Sequence, residues 1–159
     1  MRARFGNRSV REIWASDGEP AWRRGEVAAL DVALGEPPSV IALGGGTPII
    51  PAARALLDAA RDAGRVRCIL LMATPGELAA RLDHTPGDRP ALTGAGREAT
   101  ADLNRASDLS PTPASEVATV LAARLPIYRG LADAEIDTGR LDEAAATLAV
   151  LEAWKRGSD

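Results

Sequence analysis

Three arginines sit in segments that set them apart from the chain's other basic residues: Arg23 in GEPAWRRGE, Arg89 in GDRPALTG and Arg129 in LPIYRGLAD. A guanidinium offers a planar fork of donors that fits a carboxylate or a phosphate, and forks from separate segments can close on one anionic ligand. The plain alternative is that each is a solvated surface residue, the usual fate of an arginine. A further feature is SVIALGGGTPIIP, Ser39 to Pro51, where an apolar run ends in Gly44, Gly45 and Gly46 and restarts almost at once. Three glycines cost backbone entropy on ordering. They mark either a tight strand-to-helix turn or a backbone surface against which a small molecule lies. GGGTPI is not a dinucleotide fingerprint, because it lacks a third glycine at the needed spacing.

Other chemistries have weaker support. His84 is the only histidine, and no metal-ligand spacing surrounds it. Asp31, Asp58 and Asp62 fall on polar helical faces and read as solvated. Asp88 beside Arg89 reads most plainly as half of a surface ion pair. Cys68 is the lone cysteine and lies in an apolar run, so it reads as a small core residue rather than a nucleophile or half of a disulfide. Net charge is −3, with no basic block and few aromatic residues, which argues against a nucleic-acid surface. No apolar run reaches the length of a membrane span, and the charged N-terminus is unlike a signal peptide. The expectation is a cytoplasmic protein of one domain over residues 1–159.

The elements that must position these residues follow from periodicity and punctuation. Ser9 with Glu12 forms a capping box for a helix ending near Gly18, and a second helix runs from Pro20 to Gly35 with Trp22, Val27, Leu30 and Leu34 along one side. SVIAL reads as a strand buried on both faces, and PAARALLDAARDAG as the helix after it. RCILLMA, Arg67 to Ala73, is a second buried strand, followed by a helix capped by Thr74 and Glu77. A polar segment from about 83 to 113 reads as a lid or insert, with disorder favoured for AGREATADLNRASDLS. Next come a helix over PASEVATVLAARLPIYRGLA that Pro126 must bend or end, a short strand AEIDT, and an amphipathic helix from Leu141 to Lys155. Alternating strands and helices predict a parallel α/β sheet with ligand sites at the strand C-terminal ends, and the triple glycine occupies such an end.

Together these pieces resemble the shikimate kinase family of P-loop, nucleoside-monophosphate-kinase-like enzymes. RSVREIWASDGEPAWRRGE resembles its Ser-Ile-x-Glu-Ile-Phe stretch leading to Gly-Glu-x-x-Phe-Arg-x-x-Glu, with Trp22 in place of the usual Phe. IALGGGTPI resembles its triple-glycine turn, RPAL its lid motif, and RLPIYRGLAD its Arg-x-Pro-x-Tyr-Arg-x-x-Ala-Asp segment. The resemblance implies a three-layer α/β/α parallel sheet and transfer of the ATP γ-phosphate to the 3-hydroxyl of shikimate in aromatic amino acid biosynthesis. It implies Mg²⁺ with ATP as cofactor, and a monomer. Arg23 and Arg129 would hold the shikimate carboxylate, Gly44, Gly45 and Gly46 would lie against its ring, and Gly45 is the favoured backbone contact. Arg89 would reach the ATP phosphates as the catalytic arginine, and Arg81 would stack on adenine.

One part of the family pattern has no counterpart. Family members begin with a strand, a Gly-x-x-x-x-Gly-Lys-Ser/Thr loop, a helix and a second strand ending in an Asp-x-Asp pair, whereas the lone lysine here, Lys155, follows no glycine loop. The fold is therefore expected to lack its first two strands, with the Mg²⁺ ligands in the missing segment and the chain inactive alone. SVIAL should then be separated from RCILLMA by an empty slot, whose unpaired backbone groups cost about 1 to 3 kcal/mol each if buried. A start codon assigned too late is the simplest explanation. Two other readings stand beside the kinase: a short form that binds shikimate without chemistry, and a sister kinase for another small hydroxyl substrate.

Overall fold

The computed structural model describes Gly6, residues 8–83 and residues 113–156. Arg89, His84, Asp88 and the insert AGREATADLNRASDLS lie outside the described residues. The first helix, α1 (Val10–Gly35), starts from the predicted capping box: the Glu12 backbone N–H donates to Ser9 Oγ at 3.2 Å, and the Ser9 N–H donates to Glu12 Oε2 at 2.7 Å. Its helical geometry breaks at Gly18, where φ is 78°, two residues before Pro20. The two predicted helices are thus two arms of one kinked element. Ile13 is fully buried on the first arm, and Leu30 on the second.

A 3₁₀ turn (Thr47–Ile49) leads into α2 (Pro51–Asp62), whose Ala53, Leu57 and Ala60 form its buried face. Leu30, Ala53, Leu57 and Leu131 make a core cluster, against which Val27, Leu34, Ile50, Leu56 and Cys68 pack. Strands β1 (Ile69–Met72) and β2 (Ala134–Asp137) pair in parallel, with Ile69 opposite Ala134 and Met72 opposite Asp137. Between them in sequence lie α3 (Pro75–Asp83) and α4 (Pro113–Leu131), which pack together. Thr74 and Glu77 cap α3 reciprocally, as their spacing predicts. The last helix, α5 (Glu143–Lys155), is capped by Asp142 and packs on both strands.

The structure corrects three expectations. SVIAL is not a strand: among the described residues the sheet has two strands, and residues 39–44 adopt no regular structure. Val40 is 94% exposed, because a short apolar run holds strand geometry only when a neighbouring strand satisfies its backbone. RCILLMA is likewise not buried on both faces, since Leu71 is 54% exposed. Nor does α5 bury an apolar stripe: Leu148, Leu151 and Trp154 are exposed, while Ala153 is buried. Pro126 does not end α4, which continues to Leu131.

Candidate functional site

The glycine turn is built against Arg23. A Cβ on Gly46 would lie 2.0 Å from Arg23 Nη1 and 2.7 Å from its Cζ, so any side chain there expels the guanidinium. Two carboxylates one helical turn away on α1 fix that guanidinium. Arg23 Nη1 donates to Glu26 Oε2 at 2.8 Å, while Nε and Nη2 donate to Glu19 Oε1 at 3.1 and 2.9 Å. Its plane lies by the Trp14 ring, 5.9 Å from the centroid, at cation–π distance. Burial works against the charge on Arg23, but the bonds from Glu26 and Glu19 outweigh it and hold its pKa above arginine's ordinary value. Among the described residues, three of the five guanidinium donors are used, and one N–H on each terminal nitrogen has no partner there. Two such donors suit a carboxylate.

Glu26 also ties the site to the turn. Its Oε1 accepts from Thr47 Oγ1 at 3.1 Å, and the Thr47 N–H closes the turn on the Gly44 carbonyl at 2.9 Å. From α4, Tyr128 Oη donates to the Gly45 carbonyl at 2.5 Å and Arg124 Nη1 reaches the same oxygen at 3.5 Å. Helices α1 and α4 therefore converge on the three glycines through side chains far apart in sequence.

Of the predicted residues, the structure brings Arg23, Gly44, Gly45 and Gly46 together. Arg129 is elsewhere: its Nε donates to Glu135 Oε1 at 3.1 Å and its side chain is 54% exposed, so the preceding residue, Tyr128, makes the glycine contact instead. Arg81 donates to Thr138 Oγ1 at 3.2 Å and to the Thr138 carbonyl at 2.7 Å, holding α3 to the C-terminal end of β2. Thr138 in turn donates from its N–H and its hydroxyl to the Met72 carbonyl, closing the end of the sheet. Sequence reasoning missed Glu19 and Glu26, although their helical spacing from Arg23 signals both pairs. It also missed Tyr128 as a turn partner, for which local sequence carries no signal. Among the described residues no group of three or more His, Cys, Asp or Glu side chains is placed to hold a metal ion. The described residues by themselves thus offer no ready-made cage for Mg²⁺, and no step below runs through it.

The shikimate kinase family model matches residues 1–155. The chain belongs to the shikimate kinase family. A shikimate kinase of Rhodopirellula baltica is 36% identical over 149 residues, covering 92% of this chain and 68% of that protein. One from Limosilactobacillus fermentum is 34% identical over 142 residues, covering 89% of this chain and 69% of its own length. The fold matches that of a shikimate kinase from Acinetobacter baumannii solved in complex with shikimate, with a TM-score of 0.68 at 23% identity over 98% of this chain and 73% of that one. The α/β architecture is thus the P-loop kinase fold of the shikimate kinase family, represented here by two parallel strands and the helices around them. Family members are kinases that use ATP.

Proposed function

We propose that this chain forms the acid-binding half of an enzyme that transfers the ATP γ-phosphoryl group to the 3-hydroxyl of shikimate. The observation that carries the reading is Arg23, locked by Glu19 and Glu26 against Gly46 with two donors to spare. Shikimate's carboxylate takes those donors, and its ring lies on Gly44, Gly45 and Gly46, where no side chain intervenes. Arg129 joins the carboxylate after exchanging Glu135 for substrate, a small cost for an exposed ion pair. Arg89 neutralises charge on the transferring phosphoryl group, and Arg81 flanks the adenine. Such positioning and charge stabilisation are most of what phosphoryl transfer asks of a protein. The reaction uses Mg²⁺ with ATP, in the cytoplasm, and the chain is a single monomeric domain with residues 83–113 as its lid. Among the described residues no helix is long and apolar enough to cross a membrane.

The 159-residue sequence holds no Gly-x-x-x-x-Gly-Lys-Ser/Thr loop. This favours a second statement about the isolated chain: it binds shikimate without turning it over. A coupled ADP-release assay tests both halves. The isolated chain is expected to show no turnover with MgATP and shikimate, whereas a chimera with a strand, phosphate loop and helix of a shikimate kinase joined ahead of residue 1 phosphorylates shikimate. A folded chimera that binds shikimate but never consumes ATP would support the binding-only reading. A chimera that turns over a different hydroxyl compound, and keeps its affinity in Arg23→Ala, would support the sister-kinase reading.

A further inference from the structure

The corner around Arg23 holds more negative than positive charge. Arg23 brings one guanidinium, while Glu19 and Glu26 bring two carboxylates, both paired with it. Glu26 is the more sheltered of the two, with 10% of its side chain exposed against 41% for Glu19, so water screens its charge less. An acid that lays its carboxylate on Arg23 therefore meets one cation and two anions, a balance that opposes its entry. A second cation beside the glycines brings the corner to neutrality.

Arg124 is placed to supply it. Arg124 and Tyr128 are one turn apart on α4 and share the face that meets the glycine turn. Tyr128 Oη takes the Gly45 carbonyl at 2.5 Å, whereas Arg124 Nη1 stands 3.5 Å from the same oxygen, at the outer limit of a hydrogen bond. Gly45 is thus anchored by Tyr128, and the Arg124 guanidinium has no carboxylate partner among the described residues. Arg23 lies against Gly46, the next residue, so the two guanidinium groups flank neighbouring positions of the turn. Those positions are about 3.8 Å apart across a trans peptide, and a carboxylate has two oxygens with which to span such a pair. Arg129 differs, because it must first give up Glu135.

We infer that Arg124 is a further substrate-binding arginine, taking one oxygen of the shikimate carboxylate while Arg23 takes the other. The inference rests on the reading of shikimate as the acid bound at the glycine turn. Its test is isothermal titration of the 159-residue chain and its variants with shikimate and with methyl shikimate, in which the carboxylate is esterified. Shikimate is expected to bind Arg124→Gln about 30-fold more weakly than wild type, and Arg124→Lys about fivefold more weakly, since an ammonium keeps the charge but not the fork. Methyl shikimate is expected to bind wild type and Arg124→Gln within about twofold of one another, because the charge that Arg124 serves is gone. Arg124→Gln removes only the long contact to Gly45, so its melting temperature should stay within about 3 °C of wild type. Arg124→Lys carries the same comparison of acid with ester if Arg124→Gln fails to fold. Two results overturn the inference and leave the shikimate reading intact: Arg124→Gln binds shikimate within about twofold of a wild type that saturates, or it weakens acid and ester alike, the mark of a disturbed glycine turn. A folded wild type with no saturable shikimate binding overturns both.

Discussion

The corner around Arg23 and the apolar run just ahead of its glycines are made of neighbouring sequence, yet they are finished to different degrees. At the corner, Thr47, Tyr128 and Arg124 bond to Gly44 and Gly45, while Glu19 and Glu26 hold Arg23 against Gly46. Only a few residues upstream, Ser39 to Leu43 pair with no strand among the described residues and leave Val40, Ile41 and Leu43 exposed. The difference is one of range. Side chains of two helices complete the corner within this chain, whereas a parallel strand needs neighbours on its edges before its backbone groups are satisfied. A binding surface of this fold can therefore be organised while its sheet is left with open edges.

Substitutions sharpen that contrast, beginning with one that should erase it. Leu57 lies in the core cluster with Leu30, Ala53 and Leu131, and Leu57→Ala is expected to cost about 2 to 4 kcal/mol in urea unfolding, unfolding both regions with the rest of the chain. Gly46→Ala acts on the corner alone. Its Cβ displaces Arg23, so shikimate affinity in calorimetry falls about 100-fold, near 2.7 kcal/mol, while the melting temperature stays within a few degrees. Tyr128→Phe removes one bond to the Gly45 carbonyl and should weaken shikimate binding about fivefold, or roughly 1 kcal/mol.

At the foot of the sheet, the bonds from Arg61, with help from the Cys68 N–H, hold the Asp133 carboxyl below the usual carboxylate range despite some desolvation. A depressed carboxyl stabilises the fold above its unfolded pKa, and that contribution disappears as pH falls through its lowered folded value. Acid unfolding curves of the wild type should show this loss, and Asp133→Asn should be flatter over the same interval. The smallest effect belongs to the exposed apolar run. Val40→Thr is expected to change stability by less than about 0.5 kcal/mol, since the side chain is in solvent, and a loss well above that would show that Ser39 to Leu43 packs as a strand after all.

What could be read from sequence divides along the same line of range. Ser9 with Glu12, Thr74 with Glu77 and the stop at Gly18 are local chemistry, and the structure has each of them. The apolar runs of β1 and β2 were legible as strands. SVIAL was not legible as anything else, because composition reports what a segment prefers and not whether a partner strand is there to pair with it. At the site, Arg23 and the glycines stood out by context, but the tie from Tyr128 to Gly45 spans 83 residues and is a product of how α4 packs. The pairing of Arg129 with Glu135 is equally invisible, since the residues sit on a helix and a strand whose relative placement only tertiary structure fixes.

The central claim is that Arg23, held against Gly46 by Glu19 and Glu26, receives the carboxylate of shikimate. Isothermal titration of shikimate into the 159-residue chain, beside Arg23→Ala at matched melting temperature, tests it most directly. Single-site saturation for the wild type and a loss of about 100-fold or more in the variant are predicted. Equal affinities in the two proteins, or no saturable binding by the folded wild type, would contradict it.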